Sequence, residues 1–188
     1  MKPRHLEKTD SGYKVYLYIF YICGFIMLST LVFGVYVTMI EWIENGTYVM
    51  GEAINNTTIP FENFARVSTW IFFSTIIGWY CVSRIGWRRT AGNKIVGTKM
   101  ALLQLMLLGF SIIALYEVIY NFTVLNAQIT AGIIDGVVPD IDRLSVAYPD
   151  TGRPWNLIFA TKVFLAAFII SAHAFYLSTK PRKNLEES

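Results

Sequence analysis

The sequence predicts an all-α membrane protein: four transmembrane helices, both termini on the cytoplasmic side, and two outer loops. Three observations carry this reading. Charged residues make up 15% of the 188 residues and hydrophobic ones 54%, with a mean hydropathy of +0.45, whereas soluble domains carry about a quarter charged residues. The apolar residues concentrate in four long runs without a charge. Of the 16 Lys and Arg, twelve fall in segments 1–14, 84–99 and 180–188, while nine of the 13 acids fall elsewhere. Because Lys and Arg concentrate on the cytoplasmic side of membrane proteins, that split puts both termini inside. A soluble enzyme, a disordered chain and an ordinary basic nucleic-acid binder are all excluded by this composition, and the net charge of +3 is too small to imply a polyanionic partner.

The elements follow in order, within a single transmembrane domain spanning 1–188. Val15–Ile40 is an uncharged run of 26 residues, long enough to cross a bilayer that needs about 20. It predicts a helix over 14–41, and without a small-residue cleavage signature it reads as a retained span. Val67–Ser83, 17 residues, predicts a helix over 65–86. Met100–Tyr116, also 17 residues, predicts a helix over 94–128, because the following stretch stays uncharged and helix-compatible. Val163–Thr179 predicts a helix over 154–180, with Pro154 at its start, where a missing N–H costs nothing. The runs are too long for strands, and they lack the alternation of a barrel. No internal repeat supports an inverted-repeat transporter. The outer loops, roughly 42–64 and 126–153, hold the Gly, Asn, Thr and Pro residues expected of turns. Tyr and Trp residues stand at both predicted interfaces, as their amphipathic rings favour.

Four N-x-Ser/Thr patterns begin at Asn45, Asn55, Asn56 and Asn121, all on the predicted outer side. They are candidate glycosylation sites and suggest an archaeal or eukaryotic surface. The two cysteines, Cys23 and Cys81, lie inside apolar runs, so tetraspanin-, claudin- and connexin-type outer disulfides are excluded. His5 and His173 are the only histidines. A bis-histidine haem, a His-rich copper site or a di-iron centre therefore finds no ligand set within this chain, and no cofactor is expected in it.

Arg66, Glu117 and Lys162 each lie 18 residues from a basic residue at the inner boundary, hence about 27 Å along a helix. They form a charged belt near the outer face. A charge in lipid costs roughly 2.5–3.5 kcal/mol at mid-depth and less near the interface. Pairing of Glu117 with Lys162, Arg66 or both is expected, against snorkelling of the two cations to outer headgroups. Near the inner face, His173 and Gln104 can hydrogen-bond across adjacent helices. A metal, proton-relay or quinone role for His173 is the alternative to such polar packing.

These features predict a non-catalytic structural or accessory subunit of a larger membrane complex, with integral membrane subunits and lipids as partners and no nucleic acid. The alternative is a small oligomeric transporter or channel gated by the charged belt. A third reading, an enzyme acting on membrane substrates, would place Arg88, Arg89 or His173 at the inner interface. In its four spans, its run of sequons, its Tyr/Ile-rich composition and its lack of copper ligands, the chain resembles the small helical accessory subunits of archaeal ammonia monooxygenase. That resemblance implies a structural chain whose copper chemistry belongs to partner subunits; it transfers no site residues.

Overall fold

The computed structural model describes residues 6, 8–62, 64–85, 97–146 and 154–179. Helix α1 spans Ser11–Asn45, α2 Glu52–Asn56, α3 Val67–Ile85, α4 Gly97–Ile134 and α5 Leu157–Thr179. A 3-10 turn at Ile141–Arg143 precedes a small antiparallel ladder, in which β1 (Ser145–Val146) pairs with β2 (Trp155–Asn156). In a bilayer the helix satisfies every backbone group within one segment. The uncharged runs accordingly became helices.

Three helices are long and apolar enough to cross a membrane: Ser11–Asn45, Thr98–Ile134 and Leu157–Thr179. The fourth predicted span, α3, has 19 residues and is not among them. Its Ser68, Thr69, Ser74, Thr75, Trp79, Tyr80 and Ser83 dilute the apolar residues. The helix predicted over 14–41 is 35 residues long, and that predicted over 94–128 is 38. The helix predicted from 154 begins instead at Leu157. Pro154 lies in the extended segment before it, its carbonyl accepting from the Met50 N–H at 2.8 Å. Asn156 supplies the cap, its Oδ1 accepting from the Phe159 N–H at 3.0 Å, the usual way to satisfy a free N–H in the first turn.

The long helices stand in a row, α1–α3–α5–α4, with α1 packed along α3, α3 against α5, and α5 along α4. Small residues let them approach closely. Helix α1 buries Cys23, Thr30 and Gly34; α3 buries Ser74, Gly78 and Cys81. Helix α4 buries Ser111, Ala114 and Asn121, and α5 buries Ala160, Ala166, Ser171 and Ala174.

Length differs sharply along the row. At about 1.5 Å per residue, the outer pair α1 and α4 reach about 52 and 57 Å, and the inner pair α3 and α5 about 28 and 35 Å. Gln104 Nε2 donates to the Ser178 carbonyl at 2.9 Å. That register places the start of α5 opposite Leu125, with α4 running on to Ile134. Gly78 lies against Cys23, so α1 likewise continues well past the start of α3. The two tall helices overhang the short ones at the same end. Between them sit α2, the 3-10 turn and the β1–β2 ladder, a cap resting on the first turns of α3 and α5.

Candidate functional site

The best-buried large side chains lie mostly in this cap rather than midway along the spans. Leu157, Val67, Asn55 and Asn156 are almost completely enclosed, joined by Cys81 in α3. Backbone pairing draws the two outer loops together. Met50 and Trp155 form a parallel bridge, and Thr58 pairs with Arg66. The Asn156 N–H donates to the Met50 carbonyl at 3.0 Å, and the Leu157 N–H to the Leu144 carbonyl at 3.0 Å.

One polar network runs through the cap. The Arg66 guanidinium forms an ion pair with the Asp142 carboxylate and donates to the Asn55 carbonyl at 2.9 Å. Asn156 Nδ2 donates to the Asp142 carbonyl at 2.6 Å. The Ser68 hydroxyl donates to Asn55 Oδ1 at 3.0 Å. Lys162, one turn into α5, donates to Ser68 Oγ at 2.7 Å and to Thr69 Oγ1 at 3.0 Å. Each donor in the chain Lys162, Ser68, Asn55 meets an acceptor, as buried polar groups require. The network contains two cations and one carboxylate, and it joins α2, α3, the 3-10 turn and α5.

The expected pairing of Glu117 is corrected by this arrangement. The ion pairs among the described residues are Arg66–Asp142 and Arg143–Asp140; Glu117 is in neither. Arg66 and Lys162 do come together, through Ser68 and Asn55, whereas Glu117 stands on α4, across α5 from α3. Folding of the second outer loop over α3 delivers Asp142 to Arg66 instead, and hydroxyls at the head of α3 solvate Lys162.

The expected His173–Gln104 hydrogen bond is likewise replaced. His173 Nδ1 accepts from Trp79 Nε1 at 3.0 Å, so that ring ties α5 to α3, with its edge to Trp79 and its face over Tyr176. Gln104 ties α4 to α5 through Ser178. The two residues point to different neighbours because α5 lies between α3 and α4. Arg88, Arg89, Lys94 and His5 lie outside the described residues.

The sequons divide. Asn45 and Asn56 are exposed. Asn55 is fully buried in the cap network and Asn121 is buried on α4, its Nδ2 donating to the Glu117 carbonyl at 2.7 Å. Folding closes Asn55 and Asn121 as glycosylation sites, since a glycan on Nδ2 needs that nitrogen in solvent.

Beside the cap, an apolar cleft of about 340 Å³ is lined by Leu31, Val35 and Trp42 of α1, Ile54 of α2 and Phe159 of α5, among others. Two glycines shape its floor. A side chain at Gly34 would collide with Ile54, and one at Gly51, whose φ is +80°, with the Phe159 ring. Sequence reasoning missed both the cleft and the cap. The signals present were Gly51, the Asn-rich segment 55–56 and Asp142, all in loops whose mutual approach no local pattern encodes. Among the described residues, no three His, Cys, Asp or Glu side chains gather as a metal site would require. No family model, curated protein or solved structure matches the chain.

Proposed function

We propose that this chain is a non-catalytic structural subunit of a larger membrane complex, crossing the bilayer four times with both termini cytoplasmic. The observation that carries the reading is the open row: α1 and α4 each pack along a single long helix. Both leave large apolar side chains such as Phe25, Leu28, Leu105 and Phe110 uncovered along their length. Flanks of this kind suit neighbouring transmembrane helices. The cap adds support, because Arg66 and Lys162 are engaged in holding loops to helices. That use of the charged belt favours a scaffold over the transporter or channel alternative. The sequence resemblance to accessory subunits of archaeal ammonia monooxygenase names the complex we favour, a copper membrane monooxygenase with its copper in partner subunits.

Extraction of native membranes in mild detergent, followed by a native gel and mass spectrometry of the band, tests the proposal. Co-migration at fixed stoichiometry with copper-protein subunits is the expected result. Migration as a small homo-oligomer overturns it. Solute flux in proteoliposomes, with Glu117→Gln and Lys162→Met as variants, then becomes the decisive assay for a channel.

A further inference from the structure

Helix α4 ends in a built hook. The Gly136 N–H donates to the Ile133 carbonyl at 3.1 Å and the Val137 N–H to the Gly132 carbonyl at 2.9 Å, with Gly136 left-handed at φ +74°. This is the Schellman arrangement, in which the residue after the left-handed one usually packs back on the helix. Here the position it would cover is Gly132, which offers no side chain. Pro139 fills that space instead, lying close enough that a Cβ on Gly132 would meet its Cδ at 3.0 Å. The apolar residues of the hook are thereby held outward. Ile133 is 62% exposed, Ile134 79%, Val137 60% and Val138 91%.

Lipid does not account for this knuckle. Ile134 lies 17 residues beyond Glu117, about 25 Å further along the helix from a residue already near the predicted outer interface. Contiguous apolar side chains held rigidly in water mark docking sites. Charge narrows the occupant. Asp135 and Asp140 border the knuckle, both exposed; Asp140 is shared with Arg143, and Asp135 joins no ion pair among the described residues. The predicted outer side carries nine acids against four bases.

Building on the proposed subunit role, we infer that the knuckle Ile133, Ile134, Val137 and Val138 docks into an apolar hollow bordered by Lys or Arg, on the outer part of another membrane subunit. The hook is ordered before binding, so little conformational freedom is lost on docking, and complementary charge orients the encounter.

Thr130→Cys in the full chain, in its own membranes, labelled with a benzophenone maleimide and irradiated, is the test, because Thr130 is exposed one turn before Ile134 and leaves the four knuckle side chains in place. The native Cys23 and Cys81 are buried. The expected adduct joins one outward-facing peptide of a different membrane subunit, apolar with Lys or Arg beside it. Adding Ile134→Asp should cut its yield at least tenfold without moving the melting temperature of the isolated chain. Gly132→Val keeps all four apolar side chains but displaces Pro139, and should cause the same loss. Adducts confined to lipid, to a second copy of this chain or to an acidic peptide overturn the inference. Absence of an adduct from a complex that migrates intact on a native gel also overturns it and leaves the subunit role standing. Absence of both complex and adduct removes the two together.

Discussion

Asn55 shows how much of this protein's outer half hangs on single polar side chains. It is fully enclosed, accepts from Ser68 and lies beside the carbonyl of Asp142, 87 residues away. Asn55→Ala removes a hydrogen bond and opens a small void, a loss of about 2 kcal/mol. Thermal unfolding in detergent should fall by roughly 4–8 °C, taking about 2–4 °C per kcal/mol for a chain of this size. Asp142→Asn tests the ion pair alone, because the Asp142 carbonyl keeps its bond from Asn156. Each partner is about a third exposed, so the cost lies between surface and buried pairs, about 1–2 kcal/mol. A melting temperature unchanged by either variant would contradict this account of the cap. The sequons give a second residue-scale prediction. In a host that glycosylates such sites, mass spectrometry should find sugar on Asn45 and Asn56 and none on Asn55 or Asn121. The sequence made Arg66 and Lys162 legible as cations in need of partners. It could not show that Arg66 would meet Asp142, because that residue reads as one more acid in a polar loop.

At the scale of elements, the helices were legible and the cap was not, for the same physical reason. A spanning helix is written locally, as about 20 apolar residues between charges, so α1, α4 and α5 differ from expectation mainly at their ends, whereas α3 forms as a helix but is not among those long and apolar enough to cross. The cap is made of a five-residue helix, a single 3-10 turn and two-residue strands, too short for any periodicity to register. Its stability comes from contacts between loops far apart in the chain. Glycine is where that tertiary demand surfaces in the sequence. Gly46 and Gly51 both have positive φ, but a side chain at Gly46 meets open space and one at Gly51 meets Phe159. Gly46→Ala should therefore cost only the left-handed backbone, about 1 kcal/mol. Gly51→Ala adds a clash with a ring packed at the head of α5, for about 2–4 kcal/mol in all. Thermal melts of the two variants side by side should separate them by several degrees. Equal losses would mean that the α2–α5 contact does not hold the cap down.

The whole molecule is a row in which two tall helices flank two short ones, and this shape has a consequence for which side each end faces. Antiparallel packing fixes the C-terminal ends of α1 and α4 at the end where the cap lies, whatever the orientation in the bilayer. Charge then predicts the orientation. Twelve of the 16 basic residues belong to sequence segments 1–14, 84–99 and 180–188, around the start of α1, the α3–α4 connection and the end of α5, and such residues resist translocation. Thr47 and Val138, both exposed at the capped end, and Ser11 and Thr98, both exposed at the other, offer a direct check. Each is changed singly to Cys; Cys23 and Cys81 are buried and should react little. In intact cells that express this chain without partner subunits, where the knuckle stays uncovered, a membrane-impermeant maleimide should label Thr47→Cys and Val138→Cys, and should reach Ser11→Cys and Thr98→Cys only after permeabilisation. The reverse pattern would preserve the row but overturn the orientation, moving the cap and the acidic knuckle to the cytoplasm. Labelling of Thr47→Cys and Val138→Cys from opposite sides would break the row itself, since no antiparallel register of α1 with α3 and α4 with α5 can part those two ends.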